Sequence, residues 1–168
     1  MTISEIAEVY SALGFDFIAV TDHDHLLRPD CYEKQLAAVR SDLLIFKGVE
    51  LTIFEKGYLH INKIEGDGEA LYIFNHPSEL GLSLEKVLSR IESVGKIFPL
   101  NLVEITSKGF YTPEYDISEI PYPKVATDDA HTRIGCGRAW VEVECERDKD
   151  SIIRALKRGD FKNCFNTR

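Results

Sequence analysis

A good deal is missing from this chain of 168 residues, and each gap narrows the reading. No run of 18 uncharged apolar residues occurs, so no transmembrane helix is expected. The opening stretch, MTISEIAEVY, has no basic segment ahead of an apolar run, so it does not read as a secretory signal. The four cysteines, Cys31, Cys136, Cys145 and Cys164, are scattered and form no C-x-x-C pair. They are expected to be reduced thiols of a cytoplasmic protein instead of a disulfide framework. Positive charge is also scarce: 20 Lys and Arg against 28 Asp and Glu give a net charge of -8. An acidic surface repels phosphate backbones, and no basic stripe interleaved with aromatics is present, so nucleic acid is disfavoured as a partner. Repeats, low-complexity tracts and Gly/Ser/Pro linkers are absent too, so residues 1–168 read as a single domain.

What remains is an alternation of apolar runs and helical periodicities. Thr2 with Glu5 forms a capping box ahead of Ile3, Ile6, Ala7, Tyr10 and Leu13, which recur at helical spacing. FDFIAV (15–20), Leu43–Val49, YLHINKI, ALYIFN, NLVEIT, PKVATD and AWVEVE read as strands. Helices are expected over Asp30–Arg40, after Ser83 as far as Gly95, and over Ser151–Arg158. Near-continuously apolar strands alternating with helices predict an α/β fold with a mainly parallel sheet.

In such folds chemistry collects at the C-terminal ends of the strands. FIAV runs into Thr21-Asp22-His23-Asp24-His25, LIFKGV into Glu50, ALYIF into Asn75-His76-Pro77, and KVA into Thr127-Asp128-Asp129-Ala130-His131, while YLHINKI carries His60. A single histidine at a strand end is ordinarily a satisfied polar residue. Five strand ends that all offer His, Glu or Asp point instead to transition-metal ligation. His23, Glu50, His60, His76, Asp129 and His131 are the candidate ligands, with His25 a weaker local alternative. Two ions roughly 3.5–4 Å apart can clamp a phosphate and generate hydroxide at neutral pH. Arg133 and Arg138, near the D-x-H motif, are candidate substrate-phosphate contacts, as is Lys108 after another strand.

The series GFDFIAVTDHD, GVE, a strand histidine, NHP and ATDDAH resembles the PHP (polymerase and histidinol phosphatase) superfamily in order and spacing over nearly the whole chain. The resemblance implies a distorted (β/α)7 barrel with two to three divalent metal ions (Mn, Zn or Fe). It implies that Glu50 bridges two ions, that His60 and His76 complete the second, that His23 and His131 hold the third, and that Asp129 belongs to the first. His23, Glu50, Asp129 and His131 would then be catalytic. Relatives also supply an H-x-H pair from an opening strand, whereas residues 1–14 here contain no histidine. The barrel is accordingly expected to lack its first strand, to be N-terminally incomplete, and to leave an edge open to self-association. The implied function is a metal-dependent phosphoesterase that hydrolyses a phosphate monoester or small phosphodiester by metal-bound hydroxide, weak or inactive as this chain. A non-catalytic metal-binding or interaction module and a PHP exonuclease are the alternatives.

Overall fold

The computed structural model describes residues 1–166. In chain order the elements are α1 (Ile3–Ala12), β1 (Phe17–Val20), α2 (Pro29–Ala38), β2 (Leu44–Phe54), β3 (Tyr58–Glu65), β4 (Ala70–Phe74), α3 (Leu84–Gly95), β5 (Leu102–Glu104), β6 (Thr106–Ser107), β7 (Phe110–Tyr111), β8 (Lys124–Val125), β9 (Ala139–Glu142), α4 (Lys149–Arg158) and β10 (Lys162–Phe165). The capping box is present: the Glu5 amide donates to Thr2 Oγ1 and the Thr2 amide donates to Glu5 Oε2. α4 starts two residues earlier than its periodicity suggests, because Asp148 caps it by accepting from the Ser151 amide at 2.8 Å.

Six strands form one sheet in the order β1-β2-β3-β4-β5-β8, curled into a half-barrel. The α/β class is the one expected. The parallel character holds with one exception: β3 runs antiparallel to both neighbours, while the β1–β2, β4–β5 and β5–β8 pairs are parallel. Turns of a few residues connect β2 to β3 and β3 to β4, far too short for the crossover that a parallel pair needs. It follows that β1, β2, β4, β5 and β8 all point the same way, and their C-terminal ends gather on one rim.

One face of the sheet is covered by α4. Ile152, Ile153 and Leu156 pack on Phe46, Ile64, Leu71, Ile73, Leu102 and Val125. Asp150 locks this helix to the β3–β4 turn by accepting from the amides of Asp67, Gly68 and Glu69. The other face is covered by α3, whose Val87, Ile91 and Val94 meet Leu59, Ile61 and Phe74. α1 and α2 cover β1 through Ile3, Ala7, Tyr10 and Tyr32 against Ile18 and Val20. The antiparallel β9–β10 pair joins the end of the sheet: the Asn163 side chain donates to Lys124 O and accepts from the Ala126 amide, bonding to the backbone of β8 and the residue after it. Part of the edge expected to be open is therefore satisfied, and β1 is the other end strand. No helix among the described residues is long and apolar enough to cross a membrane.

Phe74 is fully buried where β4 meets α3. Phe74→Ala should lower unfolding free energy by about 3–5 kcal/mol. Ile134→Ala, at a position 84% exposed, should stay within about 0.5 kcal/mol. Urea midpoints of the two variants check the pair of values.

Candidate metal centre

Strand polarity decides which side chains meet. β1 and β2 run side by side, and the bridge between His23 and Glu50 extends their pairing past the end of β1. Because β3 runs the other way, its ligand lies near its beginning: His60 pairs with Thr52, and Asn62 pairs with Glu50. β4 ends at Phe74, so Asn75 and His76 emerge on the same rim.

Glu50 lies at the centre, with 6% of its surface exposed. Its two oxygens face different histidines. Oε2 is 2.7 Å from His23 Nδ1. Oε1 is 3.3 Å from His76 Nε2 and 3.7 Å from His60 Nδ1, and it accepts from Asn75 Nδ2 at 2.8 Å. His60 Nδ1 and His76 Nε2 are 3.4 Å apart. Burial pushes the Glu50 carboxyl up, but hydrogen bonds from His76 and Asn75 and the nearby His60 and His23 outweigh it and bring it down to about 2. Burial likewise works against protonated His76, yet its bond to Glu50 and the charges of Glu104 and Glu79 raise it to about 9. Burial lowers His60.

The donor set fits a divalent ion. Ligand atoms of His23, Glu50 and His60 all lie within 4.8 Å of one another. Ligands about 2.1 Å from a tetrahedral ion sit roughly 3.4 Å apart, the spacing around which these contacts cluster. His23 Nδ1 is buried and, despite its 2.7 Å approach to Glu50, has no properly directed hydrogen-bond partner. His76 turns Nε2 to this cluster, and its other ring nitrogen, Nδ1, lies 3.8 Å from Glu79 Oε2. An orphaned imidazole nitrogen beside a buried carboxylate suits a cation better than a hydrogen-bond network.

Asp129 and His131 stand on the loop after β8. The Asp129 carboxyl is pushed up by burial. The His131 side chain is 62% exposed, its Nδ1 bonds to Asp129 O at 2.9 Å, and its ring centre is 6.4 Å from that of His23. The histidine that shares Glu50 with His60 and His76 is His23. His25 is 64% exposed beside Asp24, with its ring 5.3 Å from that of His23. Of the two candidate arginines, Arg138 packs its guanidinium over Phe110 at 4.9 Å and donates to Lys108 O; Arg133 lies near Glu5, whose carboxyl is lowered chiefly by its hydrogen bonds with Thr2 and only slightly by Arg133. Lys108 itself forms the β6–β7 turn at φ 51°.

Several residues that the motifs did not single out hold the ligands in place. Glu104 is 2% exposed; it accepts from the His76 amide at 2.6 Å and from the hydroxyls of Thr127 and Thr106 at 2.6 and 2.8 Å. Burial raises its carboxyl to about 7, against the pull of these donors. Its sequence signal was an acid inside the apolar run NLVEIT. Asp128 closes the ligand loop at its base, where its Oδ2 accepts from the Gly137 amide and the Tyr10 hydroxyl, each at 2.6 Å. His76 (φ 25°) and Asp129 (φ 43°) both hold a backbone conformation costly for non-glycine residues. Glu104 and Asp128 supply the bonds that pin those stretches. A cavity of ≈ 990 Å³ opens onto this rim, lined there by His23, Glu50, His76, Asp129 and His131.

No protein-family profile matches the sequence, and no curated protein matches it.

An imidazole must lose its proton to ligate a cation. Since His76 holds its proton up to about 9 in the metal-free protein, manganese affinity should rise with pH from neutrality toward that value, approaching about tenfold per pH unit. Calorimetry near pH 7 in buffers of differing ionisation enthalpy should register about one proton released per ion bound. No proton release would remove His76 from the site.

Proposed function

We propose that this protein is a metal-dependent phosphoesterase of the PHP type, acting on a phosphate monoester or a small phosphodiester. What supports the reading most is the convergence of His23, His60 and His76 on the buried Glu50, with a different imidazole at each carboxylate oxygen. The half-barrel, with its ligands on one rim, is compatible with a distorted (β/α)7 barrel. In this reading Glu50, His60 and His76 would hold one ion, and His23, Asp129 and His131 would serve the others with Glu50. Bound divalent ions, Mn, Zn or Fe, supply Lewis acidity toward phosphoryl oxygens and make water more acidic.

The chain's own groups do the remaining work. Asn75 orients the Glu50 carboxylate through Oε1. Glu104 fixes the His76 backbone, from which its ring reaches Glu50. Asp129 O accepts the Nδ1 proton of His131, which leaves Nε2 as the basic nitrogen facing the rim. That nitrogen can bind a cation or take up a proton as the phosphate ester is cleaved. The cavity is of a size suited to small molecules. With the net charge of -8, a small phosphorylated substrate is favoured over a nucleic acid.

One observation favours the rival reading, a metal-binding module without turnover: the Arg138 guanidinium is engaged by Phe110 instead of the cluster. Phosphate release from a simple aryl phosphate decides between the two. The phosphoesterase should be active with added manganese and silenced by a chelator. His60→Ala or His76→Ala should cut the rate by at least about a hundredfold, since even groups that only support a ligand cost about 10–100-fold. His25→Ala should stay within about twofold, as for an exposed position. Manganese bound at Glu50 without any phosphate release would establish the module instead.

A further inference from the structure

The inner face of the β2–β3 hairpin continues beyond the metal ligands. Its successive cross-strand pairs are Glu50 with Asn62, Thr52 with His60, and Phe54 with Tyr58. Strand side chains alternate, so these six share one face. The intervening Ile53, Leu59 and Ile61 point the other way, into the core under α3. Phe54 and Tyr58 therefore form the next rung outward from His60, about 7 Å along the strand.

This rung is unusually open. Phe54 is 70% exposed and Tyr58 72%, and their rings meet edge to face with centres 5.3 Å apart. A cross-strand aromatic pair can exist only to hold a hairpin together, but this tip has another anchor. Arg90 of α3 donates to Lys56 O in the turn. Gly57, at φ 123°, leaves the space that Arg90 needs, since a Cβ there would lie 2.7 Å from Arg90 Nη2. On the other side the Thr52 amide donates to Asp24 Oδ2 at 3.1 Å, tying the base of the tip to the loop that follows His23. The hairpin is braced from both sides without the aromatic pair, which stands exposed on the same sheet face as His60 and Glu50.

We propose that Phe54 and Tyr58 are a stacking subsite for the alcohol part of the substrate, so that the preferred phosphate esters carry a flat aromatic ring one hairpin rung from the phosphorus. This rests on the phosphoesterase reading. Aromatic rings prefer offset or edge-on contact with a second ring, and the T-shaped pair presents both a face and an edge. A flexible alkyl alcohol gains neither and loses more conformational freedom on binding.

The test compares 1-naphthyl phosphate with propyl phosphate in the manganese-loaded protein, by release of inorganic phosphate. Phe54→Leu and Tyr58→Leu keep apolar bulk on the hairpin and remove the rings. Combined, they should reduce the naphthyl-to-propyl ratio of kcat/KM by about tenfold, chiefly through KM. Binding of 1-naphthyl phosphonate, which cannot be hydrolysed, should weaken by a similar factor when followed by naphthyl fluorescence. Tyr111→Leu, at an exposed aromatic stacked on Phe165, should change neither. An unchanged ratio, or equal losses for both esters, overturns the subsite while leaving the phosphoesterase reading intact. Phosphonate binding that depends on Phe54 and Tyr58, with no hydrolysis of either ester, supports the subsite and overturns the phosphoesterase reading. A wild-type protein that neither hydrolyses nor binds overturns both.

Discussion

The structure turns on the burial of one carboxylate. Glu50 sits on β2, between β1 and β3, with almost no access to water, where an unpaired charge would be prohibitive. It is kept ionised by what surrounds it: the Asn75 amide and the His76, His23 and His60 rings. They come from three stretches of chain, after β1, within β3 and after β4, so satisfying Glu50 requires β1, β2, β3 and β4 to be in register at once. The sheet order and the polarity of its strands are the means by which that happens. In the metal-free protein His76 supplies the compensating charge, and a cation bound there would take over that task.

A second tier of bonds keeps the ligands from relaxing. His76 and Asp129 have positive φ, a conformation that would drift toward ordinary values if unrestrained. The Glu104 carboxylate holds the first through its amide, and the Asp128 carboxylate ties the loop carrying the second to Gly137 and to Tyr10 of α1. Gly137 is required at that point: it has φ 72°, and a Cβ would press to 3.0 Å from Leu13. The cluster thus draws on helix α1 as well as the strands, although no residue of α1 is a ligand.

Much of this was legible in the sequence. Helix boundaries followed from Thr2 with Glu5 and from Gly159, because caps are local chemistry; α3 also runs from the residue after Ser83 to Gly95, although Ser83 makes no side-chain cap bond. The candidate ligands stood out because polar residues after apolar runs violate the strand pattern at corresponding places. The direction of β3 was less visible. YLHINKI looks like any half-buried strand, and only the shortness of the GDGE turn marks it as a returning one. Glu104 was hidden because a single acid in an apolar strand looks the same whether it serves as anchor or accident. The engagement of Arg138 by Phe110 could not be read from sequence, since it depends on where the β6–β7 turn lands. The same holds for the bond from Asn163 to β8, made by a strand that the pattern did not reveal.

The β2–β3–β4 meander has a bearing on how the molecule assembles. Its strands are joined by tight turns, so their pairings close small loops and cost little chain entropy, whereas joining β1 to β2, or β5 to β8, closes longer ones. Glu50, His60 and His76 all belong to this meander or to its last turn. The nucleus with the lowest contact order therefore already holds a carboxylate and two imidazoles around one point, and a cation captured at that stage would act as a template on which the slower flanking strands condense.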